Sequence, residues 1–445
     1  MRKKTITVLG AGYVAKPAIE YFLDTCGYEV VVTSLDKSDA DKIIAGRDGG
    51  TPVAWNSSQT EQLDRLVRRS DLVLSMLPPH LHLQVAKSCL VHGKNMVTTS
   101  YAGSEMQALD AECRDAGILI VNEIGEDPGL DLMVTKRMID QVQEEQGRVV
   151  RVDSYGAGLP SFCSNNNPFG YKFSWSPHGL IAAAQAPAAY LVAGDRVEVA
   201  GRDLFSHFWL VDLENIGTFE TYPNRDAEKY LQDFGLDEGV SLYRGLLRFP
   251  GWCNTMKGFA ELGLFNMVSR RSFTGMTYAD LIKERIGAGT QGTVEAQLAD
   301  YLDIPLQSDF MQKVRWLGLL QQEPITIREG TYADVLIERL TEKLAYRGQD
   351  RDMVIIYTEI SADFTSHREK RVASFLLEGT PGENSAMSRS VSLPAAIAAE
   401  LVVEKSIALH GVVRPTQKKI YQPVLEKLEK YGYLFITSSE VQDAA

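Results

Sequence analysis

The sequence predicts an α/β protein that opens with a doubly wound parallel sheet, followed by a second mixed-sheet α/β domain with a small helical insert. Three observations carry this prediction. Through roughly the first 125 residues, apolar runs of four to six residues alternate with stretches of helical periodicity, as in parallel strands joined by helices. The first run, Thr5–Leu9, leads straight into Gly10-Ala11-Gly12-Tyr13-Val14-Ala15, a G-x-G-x-x-A turn that opens a helix. Past Gly129 the alternation stops, and two long strand candidates joined by a polar turn read as an antiparallel hairpin.

Taken in order, the expected strands of the first part are 5–9, 29–33, 72–76, 95–99 and 119–122, with helices at 16–26, 58–69, 80–92 and 105–116. Strand ends at 75–79, 98–101 and 123–129 should line the crevice where such sheets bind ligands. Further strands are expected at 149–154, 196–200 and 352–361, the last paired with 370–377 across the turn 363–369. Helical segments at 242–247, 255–264, 278–286, 293–301 and 309–319 read as a small all-α insert or as part of the second domain. A turn cluster at 379–384 precedes a long apolar helix at 393–409. The expected organisation is therefore a dinucleotide-binding domain at 1–128, completed by 388–445. A substrate and dimerisation domain takes 129–237 and 329–387, and the helical insert 238–328.

At 445 residues the chain exceeds what one hydrophobic core usually carries, which agrees with several domains. A net charge of -12 argues against non-specific nucleic-acid binding, since no basic tract offsets phosphate repulsion. Local arginines can still reverse the field in one cleft and admit an anionic substrate. The five cysteines, Cys26, Cys89, Cys113, Cys163 and Cys253, are scattered and show no metal-ligand spacing, so a metal is not expected and a reducing compartment is. Met1-Arg2-Lys3-Lys4 runs directly into a five-residue strand, too short for a secretory core, and no run of 18 apolar residues occurs. A cytoplasmic location without membrane association is expected.

In the glycine-rich turn the first Gly permits the tight bend, and the second lets backbone approach a pyrophosphate. Ala15 is the small residue at the helix–strand contact. Gly10, Ala11, Gly12, Tyr13 and Val14 are thus candidates to hold a dinucleotide, and Pro78 is a strand-end candidate. The second strand ends Thr33-Ser34-Leu35-Asp36-Lys37, with no acid at its tip. Lacking that carboxylate, Ser34 and Lys37 can accommodate a 2′-phosphate, which favours NADP over NAD; FAD uses the same fingerprint. Lys37 reads equally as a solvated lysine.

Three carboxylates fall within six residues in Glu126-Asp127-Pro128-Gly129-Leu130-Asp131, directly beyond a strand. Asp127 can bind an ammonium group or move protons there, against the alternative of helix-capping acids. Tyr101, beyond another strand end, can donate to a carboxylate or pack as a hinge aromatic. The loop Asn165–Ser176, with Lys172 and Trp175, suits substrate contact, although Trp175 can equally close a core. Arg225 in Tyr222-Pro223-Asn224-Arg225-Asp226 and Arg244 in Tyr243-Arg244-Gly245 read as carboxylate clamps or as ion pairs. None of the seven histidines is assigned a catalytic role.

Laid side by side, these pieces resemble the NADP-dependent, L-glutamate-forming saccharopine dehydrogenases, also called saccharopine reductases, nearly end to end. Besides the fingerprint with Lys16-Pro17, the resemblance rests on Val97-Thr98-Thr99-Ser100-Tyr101, Asn122-Glu123-Ile124-Gly125 and Asp127-Pro128-Gly129. It rests further on Asn167-Pro168-Phe169-Gly170-Tyr171-Lys172-Phe173-Ser174-Trp175-Ser176, Tyr222-Pro223-Asn224-Arg225-Asp226 and Arg244-Gly245. It implies substrate contacts at Tyr101, Asp127, Trp175, Arg225 and Arg244. It also implies an NADP site around Gly10, Gly12, Val14, Ser34, Leu77 and Ser100. The implied reaction is hydride transfer through an imine between saccharopine and glutamate plus α-aminoadipic semialdehyde, in a homodimer. Two departures stand out: Ser34-Leu35-Asp36-Lys37 lacks an arginine that relatives carry, and Ser154-Tyr155-Gly156-Ala157-Gly158 has Gly156 where relatives have cysteine. The alternatives are a carboxynorspermidine- or carboxyspermidine-type dehydrogenase acting on a diamine, and an inactive NADP-binding regulatory or assembly protein.

Overall fold

Strand and helix alternate from the first residues of the computed structural model. It describes residues 2–443 apart from 288, 290, 382 and 383, so Gly382 and Glu383 of the expected turn cluster lie outside the described residues. The order begins β1 (Thr5–Leu9), α1 (Lys16–Glu20, continued by a π-turn Tyr21–Thr25), β2 (Glu29–Ser34), α2 (Lys37–Ile44) and β3 (Gly50–Ala54). Then come α3 (Thr60–Arg69), β4 (Leu72–Ser75), α4 (His82–His92), β5 (Asn95–Thr98), α5 (Ser104–Gln107) and α6 (Asp110–Asp115). β6 (Leu119–Val121) and α7 (Leu130–Glu144) follow.

The middle of the chain holds β7 (Arg148–Pro160), α8 (Pro177–Ala183), β8 (Ala188–Val192), β9 (Asp195–Val199), β10 (Trp209–Leu213), β11 (Gly217–Pro223) and α9 (Leu231–Phe234). β12 (Ser241–Arg248), α10 (Trp252–Glu261), β13 (Arg271–Ser272), α11 (Tyr278–Ile286), α12 (Val294–Tyr301) and α13 (Asp309–Leu317) come next. The chain ends with β14 (Glu329–Gly330), α14 (Tyr332–Lys343), β15 (Asp352–Asp363), β16 (His367–Glu378), α15 (Ala386–Val403), β17 (Gly411–Val413), α16 (Lys418–Glu429) and β18 (Ile436–Asp443).

Packing groups the chain into two units. The first takes Met1–Gly158, Tyr230–Val240 and Met353–Ala445. Its parallel sheet runs β17-β6-β5-β4-β1-β2-β3. The central strands read as nearly continuous apolar runs because both faces are covered, and Ile6, Val8, Val30, Val32, Val73, Leu74 and Ile120 are fully buried. β3 carries Pro52 and is tolerated because it lies at the sheet edge. At the other edge β17 pairs parallel with β6, from Gly411 opposite Leu119 to Val413 opposite Val121. α15 packs on α1, α16, β4 and β5. That helix is long and apolar enough to cross a membrane by length and composition, but 78% of it is buried inside this chain. The same unit holds the antiparallel ribbon β15-β16-β18, with β7 beside β15.

The second unit takes Leu159–Lys229 and Ser241–Asp352. Its strands β10, β11 and β12 are antiparallel neighbours, β8 joins β12, and β9 joins β8. Packing thus draws the line elsewhere than the change of pattern at Gly129: residues 129–158 and 353–387 group with the parallel sheet. One element differs in type from the sequence reading. The segment 242–247, expected as helix, lies within β12, because pairing with β11 from Pro223 opposite Gly245 to Glu220 opposite Arg248 overrides the local pattern.

Candidate active site

β1 delivers the glycine-rich turn to the C-terminal end of the parallel sheet. Gly10 has φ +104°, and a β-carbon there would lie 2.9 Å from the Met76 carbonyl oxygen, so glycine is required on both counts. Gly12 is different: its φ is ordinary and no protein atom lies within 4 Å of where a β-carbon would stand. The fold itself does not exclude a side chain at Gly12. The open space is what close approach of a pyrophosphate needs, so the turn fits a dinucleotide. Ala15 is fully buried, Ala11 and Val14 are half-buried, and Tyr13 is exposed.

At the tip of β2, Ser34 is half-buried, while Leu35 and Lys37 are exposed. Asp36, the only nearby acid in the run, caps α2 by accepting from the Ser38 backbone N–H at 2.8 Å. That backbone hydrogen bond holds its carboxyl below the usual range. Lys37 makes no ion pair among the described residues.

Beyond β4, Leu77 is half-buried and Pro78 exposed. α4 then brings back a histidine to which the sequence reading assigned no catalytic role. His82 is buried, with Nδ1 2.8 Å from Ser75 Oγ and Nε2 2.8 Å from Ser100 Oγ. It ties the ends of β4 and β5 together beside the expected cofactor residues. Burial lowers its pKa to about 4, so the ring is neutral. Its place at the first helical position after a strand tip was the available signal.

The acidic turn sorts its carboxylates by environment. Gly129 has φ +150°, and a β-carbon there would sit 2.1 Å from the Gly125 carbonyl oxygen; Gly125 N–H donates to the Pro128 oxygen at 2.9 Å. Asp131 accepts from Gly129 N–H at 2.6 Å and so caps the start of α7. Glu123 is fully buried, accepting from Ala102 N–H at 3.0 Å, Arg414 Nε at 2.9 Å and Tyr230 Oη at 2.5 Å. Asp127, joined to Pro128 by a cis peptide, is half-buried and places Oδ1 3.5 Å from Tyr101 Oη, the outer limit of a hydrogen bond. The structure therefore brings Tyr101 and Asp127 together and assigns Glu123 and Asp131 structural contacts.

The second unit carries the remaining candidates. Asn167 folds its loop by accepting from Phe169 N–H at 2.9 Å and donating to the Tyr171 oxygen at 3.0 Å. Tyr171 is fully buried against Trp252, and Trp175 Nε1 donates to Tyr171 Oη at 2.9 Å. Lys172 differs from its expected role as a substrate ligand. Its side chain is 4% exposed, and its ammonium is paired with Asp350 inside the unit. Burial opposes the Asp350 charge, yet Lys172 and the Arg347 N–H still hold that carboxyl below its usual range.

Arg225, at φ +61°, lies two residues beyond the end of β11. Arg244 is buried on β12, and its carbonyl accepts from the N–H of Asn224, the residue before Arg225, at 2.8 Å, so the segment that carries Arg225 runs beside Arg244. Sequence reasoning did not select Arg248. Four residues along β12 from Arg244, it shares that face. Its guanidinium lies over the rings of Tyr171, Tyr222 and Trp252 at 5.5, 5.9 and 5.5 Å. Among the described residues no three His, Cys, Asp or Glu side chains are grouped so as to hold a metal ion.

Two family models match the chain in succession. A family model described as the saccharopine dehydrogenase NADP binding domain matches residues 6–121, and one described as the saccharopine dehydrogenase C-terminal domain matches 125–433. The chain is 33% identical to the mitochondrial alpha-aminoadipic semialdehyde synthase of Bos taurus, covering 99% of this chain and 48% of that protein. It thus spans about half the length of that relative. It is 32% identical to the saccharopine dehydrogenase [NADP(+), L-glutamate-forming] of Pyricularia oryzae, over 97% of this chain and 98% of that one. Among solved structures, apo saccharopine dehydrogenase (L-Glu forming) from Saccharomyces cerevisiae superposes with a TM-score of 0.87 at 27% identity, covering 98% and 100% of the two chains.

Proposed function

The chain belongs to the saccharopine dehydrogenase family, and from that premise we propose that it interconverts saccharopine, NADP⁺ and water with L-glutamate, L-2-aminoadipate 6-semialdehyde, NADPH and a proton. The observation that carries this reading is the match of both family domains to the two regions that hold the glycine cradle and the arginine pair.

Gly10, Gly12, Val14, Ser34, Leu77 and Ser100 would hold NADP, with Ala11, Tyr13 and Pro78 at its margin and Lys37 near the 2′-phosphate. When bound, NADP accepts the hydride from saccharopine or, reduced, returns it to the imine carbon. Arg225 and Arg244 bind carboxylates, for which a planar guanidinium offers paired donors. Asp127 takes up and returns a proton at the secondary amine nitrogen, and Tyr101 orients it through its hydroxyl. Trp175 helps to position the substrate chain, and Lys172, paired with Asp350, holds the loop that bears Trp175. A diamine substrate would call for acidic groups where this chain has arginines, which places the carboxynorspermidine reading second. The functional division into nucleotide-binding, substrate and helical parts, a homodimeric state and a cytoplasmic location belong to the same reading.

The test is absorbance at 340 nm with saccharopine and NADP⁺, run in parallel with NAD⁺. Reduction of NADP⁺ in preference to NAD⁺ supports the proposal. Silence with both, while the protein still binds NADPH, overturns it and makes carboxynorspermidine the next substrate to offer.

A further inference from the structure

We propose that Glu123 is the positioning residue for Tyr101: it holds both peptide planes that meet at the tyrosine α-carbon. The inference rests on the role given to Tyr101 and Asp127 above. Tyr101 lies in the connection between β5 and α5, where no helix or strand sets its backbone. Glu123 N–H donates to the Ser100 oxygen at 3.1 Å, and Glu123 Oε1 accepts from Ala102 N–H at 3.0 Å. The Ser100 carbonyl and the Ala102 N–H belong to the peptide units on either side of Tyr101. Each unit is planar, so holding both restrains φ and ψ of Tyr101 and the direction in which its side chain leaves the backbone. That side chain is the one whose hydroxyl stands 3.5 Å from Asp127 Oδ1.

The backbone of Glu123 shows that a side chain is wanted there. Its φ is +58°, in the left-handed region, where glycine sits without strain and glutamate does not. Glycine would supply the N–H for Ser100 but no carboxylate for Ala102. The carboxylate is fully buried and is itself held in place, with Arg414 Nε at 2.9 Å from Oε1 and Tyr230 Oη at 2.5 Å from Oε2. Arg414 is anchored in turn by Asp233 at 2.6 Å. All of these groups lie in the first unit. A residue that merely neutralised Arg414 would need charge alone. One that holds Tyr101 needs the reach to Ala102 N–H.

The test is a comparison of Glu123→Gln with Glu123→Asp. The first keeps the reach and gives up the charge, since an amide oxygen still accepts from Ala102 N–H. The second keeps the charge and is one methylene too short. In crystal structures of the two variants, the Tyr101 hydroxyl should stay beside Asp127 in Glu123→Gln and leave it in Glu123→Asp. In kinetics, kcat/KM for saccharopine should fall about ten-fold in Glu123→Asp and about two-fold at most in Glu123→Gln, with the NADP⁺ dissociation constant held within about two-fold in both. Glu123→Asp should add nothing further to Tyr101→Phe, because the two changes act on one hydroxyl. Should Glu123→Asp not fold, Glu123→Gly takes its place in every comparison, because it adopts this φ freely and lacks the carboxylate. The reverse order of the two variants, an unmoved tyrosine in Glu123→Asp, an additive double variant or an equal loss of NADP⁺ binding overturns the proposal. So does misfolding of Glu123→Gln, or of Glu123→Asp and Glu123→Gly together. The crystallographic readout needs no substrate, so an error in the proposed reaction would be distinguishable from an error here.

Discussion

His82 shows how a single side chain couples the sheet to solution conditions. Buried between Ser75 and Ser100, it is neutral in the folded protein with its pKa lowered to about 4, whereas an unfolded histidine titrates near 6.5. The unfolded chain therefore binds more protons between these values. The contribution is complete above pH about 6.5 and is lost as pH falls through about 4, a change of about 3 kcal/mol. Urea unfolding of wild type and His82→Gln at several pH values between 7.5 and 4.5 checks this. The stability gap should narrow as pH falls, and a constant gap would reject the linkage. At the same scale, Arg244→Ala should raise KM for saccharopine at least ten-fold, the loss of a charged hydrogen bond of about 1.5–3 kcal/mol, with KM for NADP⁺ unchanged. An unchanged saccharopine KM removes Arg244 from the clamp.

Among the elements, β17 shows how three residues near the end of the chain complete work begun at the front. Pairing with β6, it leaves Arg414 just past the strand, where Nη1 meets Asp233 at 2.6 Å and Nε meets Glu123 at 2.9 Å. The guanidinium also lies over Tyr230. Arg414→Met should therefore cost about 3–5 kcal/mol, because it takes the cation from a fully buried carboxylate. Denaturant unfolding checks the figure, and a loss below 1 kcal/mol would show that the pair is not what holds this edge. The five central strands were legible because they are apolar on both faces. β3 and β17 were not: Gly50-Thr51-Pro52 and a three-residue strand carry little pattern of their own, and both lie at sheet edges. β12 misled for the opposite reason, since its leucines fit a helical period and only pairing with β11 decides its type.

For the molecule as a whole, the two units should respond differently to ligand. NADP⁺ at a hundred times its dissociation constant stabilises whatever binds it by about 2.7 kcal/mol. Hydrogen exchange should show that protection in peptides covering residues 9–15, 75–82 and 98–102 of the first unit. Protection confined to 159–229 and 241–352 would displace the cofactor assignment. The sequence by itself determined the fold class, the glycine cradle, the family and the residue types available for chemistry, because these rest on local period, turn requirements and short contiguous motifs. Only the tertiary structure decided which of the clustered acids stays beside Tyr101, that Lys172 pairs with Asp350, that His82 joins two strand ends, and that Glu123 meets Ser100 and Ala102. Those outcomes depend on groups far apart in the chain meeting at fixed distances, and no local pattern encodes such a meeting.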